Sequence, residues 1–216
     1  MVTLAHQLNG LALYRKHLMK IIGIAAPKGS GKTTFADFIK KNLEDNYQKR
    51  VKILPFASPL KRTCWILFGG SEKNWFGTDA EKSVEFGYWK DRLGEPYSTP
   101  RRIMQTLGTD IMRNNVDPNF WNMAFNKMLL DWSSVDIVIV DDVRFTNEAE
   151  YLRKIGGQVV HLTRDQKEWS QEHESEMGPD SCAGDLHCDF TNLVDMKEYA
   201  KTMAQATLLY PNAQPL

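Results

Sequence analysis

With 216 residues, 42% apolar and 25% charged, the chain suits one sizeable α/β domain that buries its own core, and excludes a disulfide-stapled miniature or a disordered tract. Lysine plus arginine equals aspartate plus glutamate, 27 each, which removes the broad basic field expected of a protein whose partner is nucleic acid or an anionic membrane. Three cysteines, Cys64, Cys182 and Cys188, read as reduced cytosolic thiols, and no apolar run approaches the roughly 18 residues of a membrane span.

Residues 1–18 place Arg15, Lys16 and His17 after the apolar stretch 11–13, the reverse of a signal peptide's order, and are read as a leader or an extra helix. The organised domain is expected over 19–216. Its first strand is 21–26, followed by a glycine-rich turn and then by Phe35, Phe38, Ile39 and Leu43 at helical spacing to about Asn46. A second strand is expected over 51–56. Ser58-Pro59, Thr99-Pro100 and Asp117-Pro118 each set a capping side chain before a proline, the chemistry of a helix start. Residues 136–140 end in four β-branched residues, Ile137 to Val140, as a strand covered on both faces does. A helix over 147–155 stops at Gly156-Gly157. A fourth strand follows over 158–162, then a short fifth near Phe190, and Asp195 with Glu198 would open a last helix as a capping box. Strands alternating with helices predict a parallel three-layer α/β sheet. The Gly-, Trp- and charge-rich segment 69–100 reads as an insertion.

The segment from Ala26 to Thr33, Ala-Pro-Lys-Gly-Ser-Gly-Lys-Thr, matches G-x-x-x-x-G-K-[ST] except that Ala26 replaces the first glycine. Gly29 and Gly31 let the loop wrap with its N–H groups inward, and the following helix presents its positive end to phosphates. Lys28, Gly29, Ser30, Gly31, Lys32, Thr33 and Thr34 are therefore the expected ATP-phosphate ligands. Lys32 would reach the β- and γ-phosphates and Thr33 would hold Mg²⁺. At the end of the buried strand, Asp142, with Asp141 as alternate, is where a Mg²⁺-orienting carboxylate belongs.

The run from Asp142 to Glu150, Asp-Val-Arg-Phe-Thr-Asn-Glu-Ala-Glu, resembles the D-V-R-F-x-N-E-A-E signature of bacteriophage deoxynucleoside monophosphate kinases. Phe56-Ala57-Ser58-Pro59-Leu60-Lys61 resembles the family's F-A-x-P-L-K. Leu107-Gly108-Thr109-Asp110, followed by Arg113 and Phe120-Trp121, resembles its L-G-T-[DE]…R…D-x-W block. His173-Glu174-Ser175-Glu176 resembles its H-x-S-E. The resemblance spans about residues 20–195. It implies a three-layer α/β/α P-loop kinase fold on a five-stranded parallel sheet, with 69–100 as an acceptor-binding region and 163–188 as a lid. It further implies transfer of the ATP γ-phosphoryl to a deoxynucleoside 5′-monophosphate with Mg²⁺, nucleotides as the partners, often a homodimer, and a cytoplasmic place, the host's cytoplasm if the protein is a phage's. Thr33 departs from phage members, which often carry Asp there.

Catalysis of phosphoryl transfer is positioning and charge neutralisation, so cations are needed at the acceptor as well. Arg144, two residues past Asp142 and on the same face if the strand continues, is the first choice for the acceptor or transferred phosphate, with a structural ion pair as the bland alternative. Read as one α-helix, 101–113 puts Arg102, Thr106, Thr109 and Arg113 on a polar face and Ile103, Met104, Leu107 and Ile111 on a buried one. Arg102 and Arg113 are thus acceptor-phosphate candidates, with Lys61 a weaker one. Catalysis is assigned to Lys32, Arg144 and Asp142. Trp75, Phe76, Trp89 and Tyr97 lie in the acceptor region, and none is singled out for stacking on a base. Cys182, His187 and Cys188 match no common zinc spacing. Two other classes compete: a P-loop kinase of another acceptor such as dephospho-coenzyme A, and a P-loop ATPase or nucleotide-sensing module.

Overall fold

The computed structural model describes residues 19–132, 134–164 and 186–209. The described chain forms two compact units. One is Phe56–Phe125; the other is built from the segments before and after it.

The flanking segments make a five-stranded sheet. Its strands are β1 (Lys20–Ala25), β2 (Val51–Ile53), β3 (Ile137–Val143), β4 (Gln158–Arg164) and β5 (Leu186–Phe190). Every ladder is parallel and the order is β2-β3-β1-β4-β5. β1 and β3 are almost wholly buried, as central strands covered on both faces must be. Helix α1 (Lys32–Tyr47) turns Phe35, Ala36, Ile39 and Leu43 onto one face of the sheet. There they share a core with Met196, Ala200, Met203 and Ala204 of the last helix (Leu193–Leu209) and with Ile22, Ile24, Ile137 and Ile139. The helix over Thr146–Lys154 covers the opposite face, where Leu152 lies directly over Gly23. Helix, sheet and helix give the three layers.

Several expectations about element ends are corrected. The second strand stops at Ile53, not Phe56: Leu54 N donates one more bond to Ile139 O, and Pro55 has no N–H to continue the ladder. The last helix is capped by Asn192, not by Asp195. Asn192 Oδ1 accepts from Val194 N at 2.8 Å and Asp195 N at 3.0 Å, while the Asp195 carboxylate accepts from the Asn192 amide at 2.8 Å. Lys20 Nζ donates to the carbonyls of Thr207 and Leu208 near the other end of that helix.

The unit Phe56–Phe125 is helical. It holds α2 (Ser58–Phe68), α3 (Glu72–Phe76), α4 (Asp79–Lys82), α5 (Gly87–Leu93), a 3₁₀ turn (Glu95–Tyr97), α6 (Pro100–Gln105) and a π-helix (Thr106–Val116), so 69–100 lies inside it. Helix α7 (Phe120–Asp131) begins in it. Thr99 caps α6 as expected, its Oγ1 accepting from Arg102 N. Asp117 Oδ1 instead accepts from Asn119 N, so the turn precedes α7 and the helix starts two residues after Pro118. Leu60, Cys64, Trp75, Ile103 and Trp121 form the core. Gly108 lets the π-helix lie against α2, since a Cβ there would meet Leu60 Cδ2 at 2.5 Å. Three indoles fasten the turn after α2: Trp89 Nε1 donates to Phe68 O, Trp75 Nε1 to Gly69 O and Trp65 Nε1 to Gly70 O. For helices this short, packing and such clamps must supply the stability that isolated helices lack.

Candidate active site

In the order β2-β3-β1-β4-β5, the connection from β1 runs towards β2 and that from β3 runs the other way. The crevice at the carboxyl ends of β1 and β3 is therefore the switch point where ligands bind in open parallel sheets. The glycine loop leaves β1 there. Gly29 and Gly31 have φ of 74° and 87°, left-handed values that side chains resist, and Ser30 N donates back to Pro27 O at 3.2 Å. α1 starts at Lys32 without a side-chain N-cap, so its first N–H groups face into the loop. Lys32 Nζ folds over the loop onto the carbonyls of Ala26 at 3.3 Å and Pro27 at 3.4 Å. Lys28, Gly29, Thr33 and Thr34 are exposed, whereas Ser30 is fully buried with no hydrogen-bond partner at its Oγ among the described residues.

Of the two carboxylates weighed from sequence, the structure brings Asp141 to the loop. Thr33 Oγ1 donates to Asp141 Oδ2 at 3.2 Å, and Asp141 is buried while Asp142 is half-buried. The register explains this. Gly23 pairs with Val140 but Ala25 pairs with Val143, so two residues of β3 oppose one of β1, a bulge at Asp141-Asp142. β3 then ends at Val143. The assumption that Asp142 and Arg144 share a strand face therefore fails, because alternation does not survive a bulge and a strand end. Arg144 lies in the turn before the helix over Thr146–Lys154 (α8), with its N–H donated to Glu148 Oε2 at 2.9 Å. The sequence signal for Glu148 is its place three residues after the helix cap Phe145.

The remaining acceptor candidates lie in the helical unit. There the expected α-helix over 101–113 changes to π winding at Thr106. Bonding from i to i+5 alters the angular step, so the polar face does not form. Arg102 is exposed, but Thr109 and Arg113 are buried, and Arg113 Nη1 donates to Pro118 O at 3.0 Å. Lys61 is half-buried, with its ammonium 5.9 Å from the Phe76 ring centroid. Trp75 is fully buried and Trp89 is held by its indole bond, whereas Phe76 is 38% exposed. In the sheet unit Cys188 belongs to the core, and its neighbour His187 stacks on His161 of the adjacent strand at 5.2 Å. Burial pushes the Cys188 thiol up to about 11 and the Cys64 thiol up to about 12. His173, Cys182 and 165–185 of the expected lid lie outside the described residues.

A parallel sheet of this order with a P-loop at its switch point defines a P-loop kinase of the three-layer α/β/α class. A family model described as "Deoxynucleotide monophosphate kinase" matches residues 71–197. A mimivirus protein (Acanthamoeba polyphaga mimivirus) described as "Putative deoxynucleotide monophosphate kinase" is 31% identical over 169 residues, 74% of this chain and 81% of that protein. The deoxynucleotide monophosphate kinase of Enterobacteria phage T4 is 38% identical over 88 residues, 40% of this chain and 36% of that protein. The deoxynucleoside-5'-monophosphate kinase of Escherichia phage T5 is 23% identical over 180 residues, 62% and 72% of the two chains. The chain belongs to the deoxynucleotide monophosphate kinase family, and is a nucleotide monophosphate kinase.

Proposed function

We propose that the protein transfers the γ-phosphoryl of ATP to a deoxynucleoside 5′-monophosphate, giving ADP and the deoxynucleoside diphosphate. The observation that carries the donor half is the Thr33–Asp141 contact beside a loop wound through Gly29 and Gly31. A hydroxyl and a carboxylate at 3.2 Å are hard oxygen donors suited to Mg²⁺. Thr33 and Asp141 would hold the ion, with Asp142 as the second carboxylate. An ion held there would supply positive charge to offset that of the phosphates. The loop N–H groups, from Lys28 to Thr34, cradle the donor phosphates. Lys32 exchanges its present carbonyl partners for phosphate oxygens, a stronger pairing because both partners are charged.

On the acceptor side Arg144 grips the acceptor or transferred phosphate from the end of β3. Of the two candidate arginines in the helical unit, Arg102 is exposed on α6 and is the stronger candidate for a phosphate, with Lys61 ranked after it. Arg113 is so buried that a packing role fits it better. The deoxynucleotide class of the acceptor is supported by the family. The test is a coupled assay with Mg-ATP and a panel of deoxynucleoside, ribonucleoside and non-nucleotide acceptors. ADP formed only with deoxynucleoside monophosphates is expected; ADP release without any acceptor would overturn the reading in favour of an ATPase.

A further inference from the structure

The turn from β3 into α8 is held by a carboxylate that the scheme above does not use. Glu148 is 3% exposed, and its Oε2 accepts from Arg144 N at 2.9 Å and from Phe145 N at 3.2 Å. An acid in the first turn of a helix is ordinary, and one that reaches back to the cap residue's N–H is half of a capping box. Two features go beyond a cap. Phe145, at the cap position, has no side-chain oxygen to return the bond, so the reciprocal half of a capping box is missing. The second N–H it holds is that of Arg144, one residue outside the helix.

Bonds to an ionised acceptor are about twice as strong as neutral ones, and burial from water strengthens them further. The backbone of Arg144 is thus fixed between this clamp and the bulge at Asp141-Asp142. We propose that Glu148 is a positioning residue for phosphoryl transfer, holding the main chain of Arg144 so that the guanidinium meets the phosphate at one fixed place. This rests on the reading that Arg144 is a phosphate ligand.

Steady-state kinetics of Glu148→Ala, Glu148→Gln, Arg144→Ala and the double variant Glu148→Ala/Arg144→Ala, each checked for folding by thermal melting, test it. Glu148→Ala is expected to lower kcat/KM for the deoxynucleotide by about tenfold to a hundredfold, the scale of a displacement of about 1 Å, with KM for ATP unchanged. Glu148→Gln keeps an oxygen that accepts both N–H groups and should recover most of the loss. The double variant should be no worse than Arg144→Ala, since the clamp acts only through Arg144. Normal kinetics for a folded Glu148→Ala enzyme, or an equal penalty in the Arg144→Ala background, overturns the inference alone. Normal turnover by Arg144→Ala overturns both the inference and the reading beneath it. If Glu148→Ala does not fold, Glu148→Asp, shorter by one methylene, carries the same comparison.

Discussion

The two units of this chain solve the problem of holding a side chain in place by different means. In the sheet unit, long parallel ladders fix the backbone, and the polar groups sit where strands end: the loop after β1, and Asp141, Asp142 and Arg144 at the end of β3. In the helical unit no helix from Ser58 to Gln105 exceeds 11 residues. Order there comes from aromatic packing around Trp75 and from indole N–H groups pinned to three successive carbonyls, Phe68 to Gly70. A ladder tolerates the loss of one side chain. A cluster built round one indole should not.

That contrast breaks most visibly at Trp75. Replacing it with alanine removes a fully buried side chain and the bond to Gly69 O, and should cost about 3–5 kcal/mol. The expected result in urea unfolding is an early transition of the helical unit, while binding of an ATP analogue to the P-loop is retained. Loss of both together would show that the two units depend on each other for folding.

Lys32→Ala is the counterpart in the sheet unit, where one side chain is proposed to carry chemistry and little structure. Its partners are loop carbonyls, and α1 is held by Phe35, Ile39 and Leu43. The fold should survive, with transfer reduced by roughly two to three orders of magnitude, as when one transition-state donor is removed. Unchanged kcat in a folded variant would sink the P-loop assignment.

The same comparison shows what sequence patterning can convey. The P-loop is contiguous, and its strand and helix neighbours are periodic, so the loop's place between β1 and α1 was readable. The central strands were readable too, because β-branched runs have few other homes. The partner of Thr33 was harder. It lies 108 residues away, and choosing Asp141 over Asp142 requires knowing the bulge, which is a property of the ladder and not of either aspartate. The helical unit was least legible. Its π winding at Thr106 answers to tertiary packing, where Gly108 meets Leu60, and an α-periodicity therefore put Arg113 on the wrong face. Asn192 took the cap from Asp195 because both are good caps and only position decides.

Paired amide variants sharpen the choice at the bulge. If Asp141 holds the proposed metal, Asp141→Asn should reduce apparent Mg²⁺ affinity by about 10–100-fold, with partial rescue by raised metal or by Mn²⁺. Asp142→Asn should do less, since no contact with Thr33 depends on it. A larger metal defect in Asp142→Asn would restore the order first read from the sequence.

The mildest effect expected is a pH dependence that each unit carries in a buried thiol. Cys64, in the helical core, is pushed up to about 12 by burial, and Cys188, in the sheet core, to about 11 by burial and the nearby Asp189 charge. Both folded values lie above the ordinary 9.0, so the neutral thiol is favoured on folding. The resulting stability is fully present below pH 9 and is lost as pH rises towards the folded value. At pH 10, one unit above the ordinary value, each thiol should cost about 1.4 kcal/mol of stability. Cys64→Ala leaves a small cavity and is less stable at pH 7, but it has no thiol to ionise in the unfolded chain. The gap between it and the parent, read from urea midpoints, should therefore narrow by about 1.4 kcal/mol between pH 7 and pH 10. Cys188→Ala should narrow its own gap equally at pH 10, because both thiols still hold their protons there and only the unfolded chain ionises. The two should part above pH 11, where Cys188 begins to ionise in the folded sheet unit and Cys64 does not. A gap for Cys64→Ala that stays constant with pH would mean that the helical unit admits water to its core, and its order would then rest on the indole clamps more than on the packing around Cys64.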